Sequence, residues 1–259
     1  MTFVTVFIIL VTVFAGYFTR LLTISGAAAA FIIGSLITLG LGVKGLIILG
    51  LFFGSSSLWS KIKSVKKERA EELLVKGSQR DWQQVIANGG LAAISSAMYY
   101  YSNDFDWVIG FCICLAASNS DTWASEIGSM SKGRPVDVKS FKRVARGTSG
   151  AVSLLGTSAA AAGSLLVATG AFLLLHLELN ELLFIFILGF CGNIIDTFLG
   201  AFVQAGYQCP HCGLKTEKMI HCGQNTRLIK GFSILNNDVV NFLSVFFILV
   251  ISLLLSGAN

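Results

Sequence analysis

Of 259 residues, 54% are hydrophobic and only 13% are charged, whereas a soluble domain carries about a quarter charged residues. The apolar residues form uninterrupted runs rather than short alternating segments, which argues against both a soluble globular domain and a β-barrel. The formal net charge of +5 is concentrated in loops, where it reads as an orientation signal and not as a nucleic-acid-binding surface.

The pattern predicts an all-α polytopic transmembrane helical bundle, a single integral membrane domain through residues 1–259. Several runs reach the roughly 20 residues needed to cross a hydrocarbon core. The chain has only two prolines, which suits helices that must satisfy their backbone groups internally. Eight spans are expected, near 2–18, 24–41, 44–60, 83–101, 105–127, 149–176, 181–206 and 236–256. The first run, Met1 to Tyr17, has no basic leader and no clear small-residue cleavage site, so it reads as a retained helix.

Three long polar loops are expected near 61–82, 128–148 and 207–235, and they hold 17 of the 19 Lys and Arg residues. Eight spans put all three loops on one side together with Arg20. The positive-inside rule makes that side cytoplasmic and implies a multi-pass protein of the cell membrane. Within the first loop, Lys66 to Lys76 reads as an amphipathic helix on the membrane surface. Arg80 and Asp81 precede Gln83, Gln84 and Asn88, polar residues that enter the fourth span early enough to line a cavity or simply to cap a helix.

Four carboxylates lie inside or at the ends of spans: Asp121, Glu126, Asp196 and Asp238. A charge there is costly unless it is paired, metal-bound or in a wet cavity. All four fall toward the cytoplasmic ends, which suggests one shared site. Ser118, Asp121, Thr122 and Ser125 follow helical spacing and make one polar face. Asp121 and Glu126 are about 140° apart around a helix, so both need not touch one ion. Asn193 accompanies Asp196, and Asn237 and Asn241 accompany Asp238. Hard oxygen ligands of this kind suit Mg²⁺ bound together with phosphate. The alternative is helix capping and interhelical hydrogen bonding.

The second basic loop brings Lys139, Lys142, Arg143 and Arg146 up to Gly147-Thr148-Ser149-Gly150. A glycine-bearing helix N-terminus preceded by cations can bind phosphate through backbone N–H groups and charge-assisted bonds. The spacing is not that of a P-loop. An ordinary positive-inside loop is the alternative. In the third loop, Cys209-Pro210-His211-Cys212 is followed by His221-Cys222. Three cysteines with either His221 or His211 could hold a structural Zn²⁺. Cys112, Cys114 and Cys191 lie in spans and read as packing residues. A weak echo relates Arg20 and Ser25-Gly26-Ala27 to Arg146 and Ser149-Gly150-Ala151, and Asn88 to Asn237. It would fit two parallel four-helix repeats.

At these motifs the chain resembles the integral membrane family of animal transmembrane protein nineteen and the plant phytyl-phosphate kinase. The segments carrying the resemblance are Gln84 to Gly89, Ser120 to Gly128, Gly147 to Ser153, Asp196 to Ala201 and Asn237 to Asn241. The resemblance implies transfer of a phosphoryl group to an isoprenoid monophosphate (phytyl, geranylgeranyl or polyprenyl phosphate). The donor would be a nucleoside triphosphate, CTP or another, with Mg²⁺. On the residues, Asp121, Glu126, Asp196 and Asp238 would hold the metal and the four cations would neutralise phosphate charge. Gly147 to Gly150, with Asn88, Asn193, Asn237 and Asn241, would line the nucleotide and lipid-phosphate site. A polyprenyl-phosphate carrier and a lipid cytidylyltransferase use similar residues and are the alternatives.

Overall fold

A computed structural model describes residues 3–62, 64, 67–68, 70, 72–77 and 79–257. Among these lie seven helices: α1 Phe3–Phe18, α2 Ile24–Lys61, α3 Trp82–Ser102, α4 Asp106–Gly128, α5 Leu154–Leu175, α6 Leu179–Phe202 and α7 Asn237–Ser256. Side-chain caps set several starts. The Thr23 hydroxyl accepts from Gly26 N, Asp81 from Gln84 N, Ser153 from Gly156 N and Asn236 from Val239 N. Each satisfies an N–H that the first turn leaves without a helical partner.

α2 covers two of the expected spans. It is interrupted at Gly42, whose φ of 58° and ψ of −145° are non-helical and suit glycine. A Cβ on Gly34 would lie 3.7 Å from Leu46 Cδ2, although twelve residues of straight helix would separate them by roughly 18 Å. The two halves therefore double back on each other, close to the break expected between 41 and 44.

Four helices, α2, α5, α6 and α7, are long and apolar enough to cross a membrane, fewer than the eight expected spans. α1 has 16 residues. α3 and α4 carry Gln, Asn and Ser among their apolar residues. The protein is mostly helical and integral to the membrane, and α4 is its axis. α4 packs against α2, α3, α5, α6 and α7, and every residue from Val108 to Ser120 is buried. Neighbours approach it through glycines. A Cβ would meet Asn119 O at 2.9 Å from Gly163, Ala116 Cβ at 2.5 Å from Gly189 and Ala117 Cβ at 2.5 Å from Gly192. Such contacts supply the close van der Waals packing that holds helices together in lipid. Cys112 and Cys114 are buried in this core, as expected of packing residues.

The loops at one end fold into short strands that the sequence did not reveal. β1 Val136–Asp137 pairs antiparallel with β2 Ala151–Val152. β3 Gly206–Gln208 lies between β4 Lys215–Thr216 and β7 Arg227–Lys230. β5 Ile220–His221 pairs with β6 Gln224–Asn225. Strands of two to four residues are too short for an alternating pattern to register. The expected helix Lys66 to Lys76 falls partly outside the described residues. Lys67, Glu68 and Ala70 are helical, and 72–76 form turns and bends. Lys67 and Ala70 are buried, so this segment folds inward rather than lying along the membrane surface.

α2 and α5 open on Thr23 and Ser153 caps, each bonded to the N–H of a glycine three residues later; neither Ser25 nor Ser149 caps these helices.

Candidate active site

The loop-bearing end of the bundle encloses a cavity of about 980 Å³. Asp121, Glu126, Asp196 and Asp238 all line it, as do Asn88, Asn193, Asn237 and Asn241 and the Gly147–Gly150 turn. The four intramembrane carboxylates thus share one chamber, but they are not equivalent within it.

Two of them hold lysines. Glu126 Oε2 pairs with Lys67 Nζ at 2.6 Å and its other oxygen accepts from the Ser60 hydroxyl. Lys67 also donates to the Trp59 and Ser60 carbonyls at 2.9 and 2.8 Å. Asp238 pairs with Lys76, which is shared with Asp81 at 2.7 Å. Burial works against the Lys76 charge, but its hydrogen bonds to Asp238 and Asp81 and the negative charge of both outweigh it and raise its pKa. Glu126 and Asp238 are therefore each paired with a lysine of the 62–81 loop, unlike Asp121 and Asp196.

The other two face each other. The Asp121 and Asp196 carboxyl groups meet within hydrogen-bond reach. No lysine or arginine bridges either one among the described ion pairs. With its amide oriented to satisfy both neighbours, Asn241 donates to Asp196 Oδ2 at 3.1 Å and to the Asn237 carbonyl at 3.0 Å. The Ser244 hydroxyl donates to the Asn241 carbonyl at 2.9 Å. Asn193 is buried one turn before Asp196. Two carboxylates at this separation repel unless a proton or a cation lies between them. The surrounding donor set is all oxygen and amide, which fits Mg²⁺.

The cations of the cavity differ from those expected. Arg146 lines it, donating to the Ser131 and Lys132 carbonyls at 3.3 and 3.1 Å. Lys139, Lys142 and Arg143 are exposed and do not line it, and Lys139 instead lies 5.6 Å over the Phe202 ring. Among the described residues the cavity cations are Lys67, Lys76, Arg80, Arg146 and Lys218. Arg80 donates to Ser57 Oγ at 3.0 Å and stacks over Phe53. Burial pushes its guanidinium down to about 10, against the pull of Glu126. Arg80, Gln84 and Asn88 do line the chamber, whereas Gln83 accepts from Lys76.

The Gly147–Gly150 turn is not a helix N-terminus. α5 begins at Leu154 under the Ser153 cap. Gly147 and Gly150 have φ of 81° and 82° and form a tight turn before β2. A Cβ on Gly150 would come within 2.4 Å of Ala201 Cα, so the turn is pressed onto α6 near Asp196. The Ser149 hydroxyl bonds Gln204 Oε1 at 2.6 Å, and Gln204 Nε2 donates to Glu217 Oε1 at 2.7 Å. Sequence reasoning missed Glu217, which lines the cavity from the third loop. Burial pushes its carboxyl up to about 7, against the pull of Lys230 and Gln204. It sits in a polar loop with no local pattern around it, so the only signal was its place between the cysteine pairs.

The third loop gathers Cys209, Cys212, His221 and Cys222, with ligand atoms all within 4.8 Å of one another. His211 is not part of the group.

Comparison with known proteins agrees with this architecture. The family model "Integral membrane protein DUF92" matches residues 7–249. The chain belongs to this family. It is 30% identical to Protein PGR of Arabidopsis thaliana over 263 residues, covering 90% of this chain and 88% of that one. It is 30% identical to an uncharacterized membrane protein, MJ0933, of Methanocaldococcus jannaschii, covering 78% and 83% of the two chains. Protein VTE6, chloroplastic, of Arabidopsis thaliana is 27% identical over 86% of this chain and 62% of that one. No solved structure matches.

Proposed function

We propose that the protein is a membrane-embedded prenyl-phosphate kinase, converting an isoprenoid monophosphate to its diphosphate with a nucleoside triphosphate and Mg²⁺. The observation that carries the reading is the Asp121–Asp196 pair, unneutralised by any described ion pair, in a cavity lined by Lys76, Arg80 and Arg146. The resemblance to the phytyl-phosphate kinase family supports the substrate class.

Asp121 and Asp196 would hold the metal, with Asn193 and Asn241 beside them. Bound there, Mg²⁺ would neutralise donor phosphate charge. Lys76 is oriented by Asp238 and Asp81, and Arg146 by two loop carbonyls. Both are thereby positioned to stabilise phosphate oxygens without reorganising during transfer. An oxygen of the lipid monophosphate attacks the terminal phosphorus of the donor, the bond to the bridging oxygen breaks, and a nucleoside diphosphate leaves. The acceptor is already largely ionised near neutral pH, since the second pKa of a phosphate monoester is about 6, so no strong general base is required. The isoprenoid tail would lie among the apolar helices and its phosphate in the cavity, which faces the cytoplasm under the positive-inside rule.

The test is direct. Purified protein in detergent is mixed with Mg²⁺, geranylgeranyl or phytyl monophosphate and each nucleoside triphosphate, and the lipid is followed by mass spectrometry. A gain of one phosphate, lost in Asp121→Asn and Asp196→Asn, is expected. A gain of a nucleotide would replace the kinase by a cytidylyltransferase. Lipid binding without any product, in folded protein, would favour a carrier.

A further inference from the structure

The cysteine-bearing loop packs beside the cavity, yet the transfer proposed above uses none of its thiols. Cys209-Pro210-His211-Cys212-Gly213 closes a tight turn in which Gly213 N donates to Cys209 O at 2.9 Å, with Gly213 at a φ of 73°. His221-Cys222-Gly223 makes a second turn, with Cys222 and Gly223 at φ of 52° and 72°. The two turns face each other. The three Sγ atoms and a ring nitrogen of His221 lie within 4.8 Å of one another. Cys212 and Cys222 Sγ are 3.5 and 3.2 Å from His221 Nδ1. Tetrahedral zinc, with Zn–S of about 2.3 Å and Zn–N of about 2.0 Å, has ligand–ligand edges of roughly 3.6–3.8 Å. The cluster is therefore close to that size before any ion enters.

The packing of the loop points the same way. From Gly206 to Lys230, only Tyr207, Cys209 and Thr216 are buried, and one of these is a candidate ligand. Its strands are two to four residues long. A sheet this small is marginal in water, and units below about 40 residues usually need a disulfide or a metal. Four converging ligands without a hydrophobic core are what a structural zinc site supplies.

The ligands also bracket the segment that reaches the cavity. Between Cys212 and His221, Glu217 to Ile220 line the chamber. The Thr216 hydroxyl and Glu217 N both donate to the Leu73 carbonyl, at 2.8 and 2.9 Å, clasping this segment to the loop that carries Lys67 and Lys76. We propose that Cys209, Cys212, His221 and Cys222 bind one Zn²⁺ in a closed structural site, and that this ion fixes residues 215–220 as a wall of the cavity. None of the four ligands lines the cavity that holds Asp121 and Asp196, so the proposal does not depend on the reaction catalysed there.

The experiment counts metal in full-length protein purified in detergent without chelator, by inductively coupled plasma mass spectrometry. About one zinc per chain is expected in the wild type, and less than about a tenth of that in Cys212→Ser and Cys222→Ser. His211→Ala should keep its zinc. Cobalt exchanged into the wild type should give the visible absorption of a tetrahedral thiolate site, a readout that needs no variant to fold. Removing the metal with phenanthroline should speed tryptic cleavage after Lys215 and Lys218 severalfold and leave the helical circular dichroism unchanged. Helical wild-type protein that holds no zinc and gives no cobalt spectrum would overturn the proposal. So would zinc that persists in both serine variants, or cleavage at Lys215 and Lys218 that is indifferent to the metal.

Discussion

Lys67 Nζ sits 2.6 Å from Glu126 Oε2, and their side chains are only 5% and 19% exposed. The pair joins the first polar loop to the end of the axial helix α4 and closes one side of the cavity. Removing one partner of a buried ion pair leaves an uncompensated charge and costs about 3–5 kcal/mol. Lys67→Met and Glu126→Gln are each expected to lower the melting temperature in detergent. The double variant should recover part of that loss, because neither charge is then stranded. An additive double variant would show that the two side chains do not interact.

The Asp121–Asp196 pair should behave in the opposite way. Asp121→Asn or Asp196→Asn relieves like-charge repulsion, so neither is expected to lower thermal stability without metal. The proposed phosphoryl transfer should nevertheless fall by about 10²-fold or more. Magnesium should raise the melting temperature of the wild type and of neither variant. A variant that melts well below the wild type would make this pair structural instead.

Glu217 gives the site a pH dependence with a defined sign. Burial pushes its carboxyl from 4.5 up to about 7, so the folded state holds this proton more tightly than the unfolded chain. Stability from this group is full below about 4.5 and is lost as pH rises to about 7. The upper limit is about 3 kcal/mol, reduced by the side chain's contact with the cavity. Melting temperatures from pH 5 to 8 should fall less steeply in Glu217→Gln than in the wild type. Parallel curves would remove Glu217 as the titrating group.

The Gly147–Gly150 turn tests backbone geometry separately from charge. Gly150 has a φ of 82°, and an added Cβ would come within 2.4 Å of Ala201 Cα. Strain at positive φ and overpacking together should cost Gly150→Ala about 2–4 kcal/mol. Gly133, where an added Cβ meets nothing within 4 Å, is the matched control, and Gly133→Ala should be within about 0.5 kcal/mol of the wild type. Equal melting temperatures for the two variants would show that the turn is not pressed onto α6.

Much of this was legible because charge inside an apolar run is conspicuous. Asp121, Glu126, Asp196 and Asp238 each interrupt a hydrophobic segment, and all four reach one cavity. The C-x-x-C and His-Cys pairs were equally plain, and folding selected His221 over His211. Partner choice was not legible. That Lys67 and Lys76 neutralise Glu126 and Asp238 depends on how the 62–81 loop folds back, and the two lysines sit among other cations of the same loop. The start of α5 was placed early because Gly147-Thr148-Ser149-Gly150 looks like a helix entry, while the operative cap is Ser153. Glu217 reaches the cavity through strands too short to leave a periodic trace.

The basic residues separate a pattern reading from a structural one most cleanly. Lys139, Lys142 and Arg143 stand in the run before the glycine turn but are exposed outside the cavity, whereas Arg146 lines it and is held by the Ser131 and Lys132 carbonyls. Exposed side chains that do not line the cavity act on a ligand there through fields that salt screens, with a Debye length of about 8 Å at physiological salt. Lys142→Ala and Arg143→Ala are therefore expected to keep the proposed activity within about twofold at that ionic strength. Arg146→Ala should lose about 10²-fold, and Arg146→Lys should restore part of it, since a point charge replaces only some of the guanidinium's donors. Initial rates at saturating and limiting lipid phosphate would separate binding from transfer. Equal losses across all three alanine variants would return the phosphate site to the whole basic loop.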